Sequence, residues 1–432
     1  MISFENWKDG FVMTIEGIRI LRHSSSSPAI FLGVTQDAKA RETWRGLGAS
    51  RVINEGPELT VLDFGPDCTI RLLYHERVLH VRPSVSGAKQ EALRIRFGAH
   101  PGEMLFGLGP STEYDLKKTK VALCADGEDR ASLRDPSVIS SRGTWIHVDG
   151  GGATEWNFRN STTELSCATT PREIALGFGK TQAAGMELLT KYKAGVRGRL
   201  PAWLQACPLV EEGGKRFRQE AVVDGGDGRL IEKEELENIL RASSARVLPP
   251  EAAEPGSPSG FAATLLSLSS SGYGQILMPD ALELAAFSPL LILKVYSDGM
   301  QKPSAHRVAA SKAMYSMLRP YREYCSEKWV EKGLPVLAHP SLLYPAESGL
   351  LKFSDQYMFG SDVIIAPSRE GSLRPRRLCL PDDDWIHLWT SRHYRGGTTI
   401  VHAPIGKPAI FYRCRSAFAK LFDALRLKAT RL

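Results

Sequence analysis

Asp355-Gln356-Tyr357-Met358-Phe359-Gly360-Ser361-Asp362-Val363-Ile364-Ile365-Ala366-Pro367 is the stretch from which the rest of the chain can be placed. Within it, Val363-Ile364-Ile365-Ala366 reads as a strand. Downstream the β character continues through Leu378-Cys379-Leu380, Trp385–Trp389, Thr398–His402 and Ala409–Arg413. A short terminal helix follows. Ser416 is placed to cap it, and Phe418, Leu421, Phe422 and Leu425 form its apolar face. Residues 346–432 therefore read as a β-rich C-terminal domain.

Upstream, Val308–Trp329 is the clearest helix. Met314, Met317, Leu318, Tyr321, Tyr324, Cys325 and Trp329 recur at three- and four-residue intervals and read as core. Pro320 is expected to kink this helix and Gly333 to stop it. Glu232–Ser243 reads as another helix, with Ile231, Leu236, Ile239 and Leu240 on one face. Val247–Gly260 is rich in Pro, Ala, Gly and Ser and reads as an exposed linker. Phe261–Ser270 reads as a buried helix or strand, and Phe287–Tyr296 as a buried strand. Residues 1–195 carry short alternating runs, among them Phe11–Ile15, Leu59–Leu62, Thr69–Leu73 and Ala92–Phe97. Turn signals such as Lys8-Asp9-Gly10 and Gly65-Pro66-Asp67 separate them, which argues for a sandwich. Gly150–Gly152 lacks the strand–loop–helix context of a phosphate cradle and reads as a turn.

The expected fold is thus an α+β multidomain chain. It has an N-terminal β-sandwich over 1–195, a mixed α/β region over 196–345 and a C-terminal β-sandwich over 346–432. The 432 residues are 43 % apolar and 24 % charged, as in a soluble globular protein. The net charge of +7 is spread along the chain. No basic stripe with stacking aromatics is visible, so no nucleic-acid partner is expected. The seven cysteines never fall in CxxC spacing, which argues against zinc and for reduced, buried thiols. No leader-like N-terminus and no long apolar window are read, so a cytoplasmic protein without a membrane segment is expected. Asp382-Asp383-Asp384 reads as a solvated turn rather than a calcium site, and the histidines at 339, 387, 393 and 402 as structural. No metal or cofactor is expected.

Three stretches resemble the family 31 glycoside hydrolases, most closely their sulfoquinovosidase branch. Leu105-Phe106-Gly107-Leu108-Gly109 followed by Glu113-Tyr114-Asp115-Leu116 resembles the "YGxGEQFxYFDLRG" signature of that family's N-terminal sandwich, which is galactose-mutarotase-like. Gly198-Arg199-Leu200-Pro201-Ala202-Trp203 is similar to the "GRxPxLPxW" entry into its barrel. The third stretch is the longest. It runs from Leu318-Arg319-Pro320-Tyr321 and Gly333-Leu334-Pro335-Val336 through the 355–367 segment, Trp385–Thr390 and Gly396-Gly397. It closes with Ala403-Pro404-Ile405-Gly406-Lys407-Pro408-Ala409-Ile410-Phe411-Tyr412-Arg413.

The resemblance implies a retaining α-glycosidase on a (β/α)₈ barrel, acting on O-glycosyl bonds. Such an enzyme needs two carboxyl groups about 5–5.5 Å apart. The family's nucleophile run "D-F-G-E" and its acid/base run "G-D-Q/N" are not found. Gly226-Asp227-Gly228 reads as a loop. A closed barrel takes about 250 residues and seldom fewer than about 200, whereas about 150 separate Gly198 from Ser348. The 196–345 region is therefore expected to be a shortened barrel remnant. Its pieces are Leu204–Gly214, Leu265–Gln275 and Phe287–Asp298.

Four readings follow. One is a non-hydrolytic relative that binds a carbohydrate or related small molecule. Asp126, Glu128 and Arg130 would touch the ligand, on the segment that in the family reaches the sugar. Another is a repurposed enzyme, with Glu283, Tyr296 and Asp298 as candidate catalytic groups and Tyr273, Gln275 and Lys294 lining the ligand at the ends of the late strands. The remaining two are an active α-glycosidase with relocated carboxylates and a degenerate gene product. Lys215-Arg216-Phe217-Arg218 reads as a solvated basic loop before an anion site. Strand edges left open by the missing barrel are expected to recruit a second copy or a partner.

Overall fold

The computed structural model describes residues 2–34, 43–56, 58–86, 92–100, 102–108, 116–123, 136–159 and 162–193, then 305–332, 336–353, 355–366, 375–404 and 407–429. Between 194 and 304 it describes only 209–212, 216–219, 230–232, 245–247, 273–275, 286–289 and 292–293. The chain divides into two compact units. One is Met1–Gly109 with Asp115–Leu189, and the other contains Thr190–Leu432.

The first unit is mostly antiparallel sheet. A three-stranded sheet holds Ile2–Trp7, Gly10–Ile15 and Ile18–Ser24. A six-stranded sheet orders Lys120–Leu123, Thr154–Asn157, Thr162–Cys167, Ala92–Gly98, Ile30–Val34 and Thr43–Gly46. An eight-stranded sheet orders Leu105–Gly107, Ser137–Ser140, Thr144–Gly150, Pro171–Phe178, Val78–Val85, Cys68–His75, Leu59–Asp63 and Arg51–Asn54. Alternation sets the faces, because successive side chains point to opposite sides of a strand. In Ala92–Gly98, Leu93, Ile95 and Phe97 are buried, while Arg94 and Arg96 lie on the other face. All three sheets contribute to one core, with Phe11 and Met13 from the first, Ile95 and Trp156 from the second, and Ile70 and Ile174 from the third.

Two glycine positions are forced. Gly150, Gly151 and Gly152 all have positive φ (79°, 88° and 66°), which gives the expected turn a backbone that side chains rarely adopt. A Cβ on Gly177 would run into the Trp145 ring packed over it. Helix α1, Gln182–Lys193, begins in the first unit, runs past its last residue Leu189, and is not anticipated by the β-rich reading of 1–195. Thr181 Oγ1 accepts from Ala184 N at 3.2 Å near its start, and Met186 and Leu189 are buried.

In the second unit the long helix is two. Helix α2 is Ala305–Met317 and α3 is Arg319–Lys332. They part at Leu318, because Pro320 has no N–H to continue the ladder. Arg322, fully buried, donates through Nη1 (3.1 Å) and Nη2 (2.5 Å) to Tyr315 O, near the C-terminus of α2. Its guanidinium also stacks on the Tyr315 ring at 3.6 Å. A cation at that end of a helix complements the helix dipole. Helix α4, Pro340–Leu343, and helix α5, Ala419–Ala429, are further α-helices among the described residues. Ser416 sits before α5 as expected, its Oγ accepting from Phe418 N at 3.0 Å.

The sandwich expected at 346–432 takes the form of one six-stranded antiparallel sheet. Its order is Leu337–Ala338, Tyr357–Phe359, Val363–Ala366, Ala409–Arg413, Arg376–His387 and His393–Val401. Helices α2, α3 and α5 cover one face, where Tyr315, Tyr321, Trp329 and Phe422 pack on Tyr357, Phe359, Ile365 and Tyr412. The long strand Arg376–His387 shifts register between Leu380 and Asp384. Only its last residues pair with Ala409–Arg413. Its first half instead brings Leu378 and Leu380 onto Met358, Ile364 and Phe411, closing a second core. Gln356 holds that half, donating to Cys379 O (2.7 Å) and accepting from Cys379 N (2.9 Å).

In the 196–345 region several expectations change. Leu230–Glu232 is a strand, so Ile231 and Glu232 do not begin a helix. Phe217 lies opposite Ile231 and Arg216 opposite Glu232 in the antiparallel register. The basic loop at 215–218 is likewise a strand from Arg216 to Gln219. Val247 closes the strand Ala245–Val247 rather than opening the linker, and 248–260 lie outside the described residues. The strand expected over 287–296 is a buried turn, Ala286–Pro289, followed by the short strand Ile292–Leu293.

Candidate functional site

The described strands of the 196–345 region include two parallel pairs. Leu209 and Val210 lie beside Ile292 and Leu293. Ala245, Arg246 and Val247 lie beside Tyr273, Gly274 and Gln275. Parallel pairing requires a crossover between the partners, as in a βαβ unit. The first pair is anchored from below. Leu209, Ala286 and Phe287 are buried in the same core as Met314, Tyr315, Trp329 and Tyr357. Tyr315 OH donates to Pro289 O at 3.3 Å, so Arg322, Tyr315 and Pro289 form a chain of contacts leading to the Ile292 strand.

Of the candidate residues, Tyr273 and Gln275 stand two apart on one strand. Asp126, Glu128, Arg130, Glu283, Lys294, Tyr296 and Asp298 lie outside the described residues.

The polar groups of the C-terminal sheet are accounted for by packing. Asp382-Asp383-Asp384 lies within the strand at its bulge, not in a solvated turn. Arg413 holds Asp383 through Nε (2.8 Å) and Nη2 (2.5 Å) and approaches Asp362 at 3.6 Å. The two carboxylates therefore converge on a guanidinium, which occupies the space between them. Asp362 also accepts from Ser416 Oγ at 2.6 Å, and its N–H donates to Tyr321 OH at 2.9 Å. Burial pushes the Tyr321 phenol well above its usual value. It stays protonated and donates to Phe359 O at 2.8 Å. His339 is fully buried and caps α4, accepting from Ser341 N at Nδ1 (3.3 Å) while Nε2 donates to Phe353 O (3.0 Å). Burial lowers its pKa to about 4 and holds it neutral. His387 is lowered to about 4 by the same cause.

A polar group in the first unit has no counterpart in the sequence reading. Glu173 accepts from His80 Nδ1 (2.8 Å) and Arg82 Nε (2.7 Å), and Ser137 Oγ and His147 Nδ1 share a hydrogen bond of 2.7 Å. His80 and His147 are both register neighbours of Ala175. Glu173 neutralises Arg82 and orients His80, but the group contains one carboxylate and not the pair that glycoside hydrolysis needs. These residues come from four strands, so no local spacing could reveal them.

Among the described residues, no three His, Cys, Asp or Glu side chains converge as metal ligands. No described helix is long and apolar enough to cross a membrane. Cys68, Cys167 and Cys325 are buried, and burial pushes the Cys167 thiol up to about 12.

Residues 333–417 match the Glycosyl hydrolase family 31 C-terminal domain. The sulfoquinovosidase of Escherichia coli is 36 % identical over 129 residues, which are 30 % of this chain and 19 % of that protein. The sulfoquinovosidase of Agrobacterium fabrum is 34 % identical over 153 residues, 33 % of this chain and 23 % of that protein. These matches thus span about a fifth of the relatives' own length. A family 31 sulfoquinovosidase from E. rectale, solved with an aza-sugar inhibitor, superposes with a TM-score of 0.74 over 99 % of both chains at 16 % identity, which shows a shared fold. Residues 333–417 thus match the C-terminal domain of glycosyl hydrolase family 31, and about a third of the chain is similar in sequence to two sulfoquinovosidases.

Proposed function

We propose that this protein is a non-hydrolytic relative of the family 31 glycosidases that binds a glycoside or a related small molecule. The observation that carries the reading is the parallel pairing of Leu209–Val210 with Ile292–Leu293. Only 79 residues lie between Glu212 and Ile292. A βαβ unit takes about 30 residues or more, so the intervening chain has room for a few such units and not for the central strands that carry a retaining pair. The absence of "D-F-G-E" and "G-D-Q/N" runs from the sequence points the same way. On this reading the first unit is a β-sandwich, the 196–345 region is a shortened barrel, and Asp126, Glu128 and Arg130 are candidate ligand contacts. The buried thiols of Cys167 and Cys325 suit a reducing compartment such as the cytoplasm. The outer strands Leu230–Glu232 and Ile292–Leu293 would be covered by a second copy or a partner.

The test is hydrolysis of 4-nitrophenyl α-sulfoquinovoside and α-glucoside at high protein concentration, alongside a thermal-shift screen of the matching free sugars. No release above the blank, with a ligand-dependent rise in melting temperature, is the expected result. Sustained release that is lost in Asp298→Asn or Glu283→Gln would overturn it in favour of relocated or repurposed catalytic carboxylates. A chain without a cooperative melting transition would instead favour the degenerate product.

A further inference from the structure

Two arginines of the second unit, Arg322 and Arg376, are buried, and they are held differently. Arg376 has a carboxylate beside it, with Asp355 at 2.6 Å. Arg322 is 0 % exposed, and no carboxylate pairs with it among the described residues. Both of its side-chain hydrogen bonds end on one neutral oxygen, Tyr315 O, and its Nε–H has no acceptor.

A guanidinium taken out of water without a counter-charge is strongly unfavourable. The Tyr315 ring, 3.6 Å from Cζ to its centroid, offsets part of that. The C-terminus of α2 offsets more, but α3 begins at Arg319, so the opposite end of a second helix stands beside it. A buried water would satisfy the Nε–H and leave the charge unmatched. We propose that Arg322 holds a small monovalent anion, of the size of chloride, at the junction of α2 and α3.

The choice of occupant follows from the same observations. One positive charge is unmatched, so a monovalent ion balances it, whereas a divalent ion would reverse the imbalance. The guanidinium has no exposed surface, so the ion must be compact and shed its water. Tyr315 carries the consequence outward. Its carbonyl accepts from Arg322, its ring stacks on the guanidinium, and its hydroxyl donates to Pro289 O at 3.3 Å. An anion that fixes Arg322 therefore also fixes Tyr315 and the turn that leads to the strand Ile292–Leu293.

Differential scanning fluorimetry of the full chain tests this, with chloride exchanged for gluconate at constant ionic strength so that screening does not change. The expected result is a saturable rise in melting temperature with chloride, of about 2–4 °C. Arg322→Met removes the charge and should abolish the rise. Arg322→Lys keeps the charge without the Nε–H, and should move the midpoint to higher chloride. In the wild type, hydrogen exchange at Leu293 should slow as chloride is added. Equal melting in chloride and gluconate overturns the proposal and assigns the counter-charge to a carboxylate of the chain itself. A rise that survives unchanged in Arg322→Met also overturns it, by placing the ion at another site. Should the methionine variant fail to fold, a midpoint in Arg322→Lys identical to that of the wild type has the same meaning. None of these results bears on whether the protein binds or cleaves a glycoside.

Discussion

In the C-terminal sheet, the strands Arg376–His387 and His393–Val401 run for 12 and 9 residues and are joined by a short turn. Between Leu209 and Leu293 the described strands run for two to four residues, and two of the pairings are parallel to partners far along the chain. The two regions sit in one unit and share one core, but they depend on it differently. The sheet closes its own second core through Leu378, Leu380 and Trp385. The short strands reach their burial through Leu209 and Phe287, which insert among side chains of α2 and α3. Damage to the shared core should therefore cost both regions, and damage at Leu209 should cost mainly one.

The largest expected effect is that of Trp329→Ala. Trp329 is fully buried against both regions. Its removal should cost about 3–5 kcal/mol of unfolding free energy, read by urea denaturation. A loss below about 1 kcal/mol would show that the indole is not in this core.

Acid should act next, and on the sheet. The folded-state pKa of His339 is about 4, below the unfolded value of 6.5. Neutral His339 therefore contributes stability that is fully present above about pH 6.5 and lost as pH falls through about 4. The shift corresponds to at most about 3 kcal/mol. Once protonated, Nδ1 can no longer accept from Ser341 N. His339→Asn keeps an N-cap acceptor and should flatten this acid limb. An unchanged pH profile in that variant would remove His339 from the account.

Leu209→Ala sharpens the asymmetry. It should cost about 2–3 kcal/mol locally. Hydrogen exchange should accelerate at Val210 and Leu293 while the amides of Val363–Ala366 keep their protection. Equal acceleration in both regions would mean that they unfold as one. The smallest effect belongs to Arg319→Ala, which removes an exposed i,i+4 pair with Glu323 at 2.9 Å. It should change stability by about 0.3–0.5 kcal/mol or less.

The strands at 11–15, 69–73 and 92–97 were legible because period-2 burial is a local property that the residues themselves display, and those at 363–366 and 409–413 because they are short apolar runs buried on both faces. The helical stripe from Met314 to Trp329 was legible for the same reason, at period 3.6. Resemblance in the ordered motifs from Leu318 to Arg413 pointed to family 31, and the match at 333–417 agrees. The lack of the two carboxylate runs was also plain, since such a motif is a short string.

Tertiary structure decided the rest. Ile231 sits in a strand paired with Arg216–Gln219, a partner that no helical periodicity could reveal. Asp383 is an ion-pair partner because Arg413, 30 residues on, is brought back beside it. His80, Arg82 and Glu173 meet only when two strands about 90 residues apart pair. Leu209 and Ile292 become neighbours by the same kind of closure. Local periodicity is written residue by residue, whereas strand pairing and charge partnership depend on which distant segments fold together.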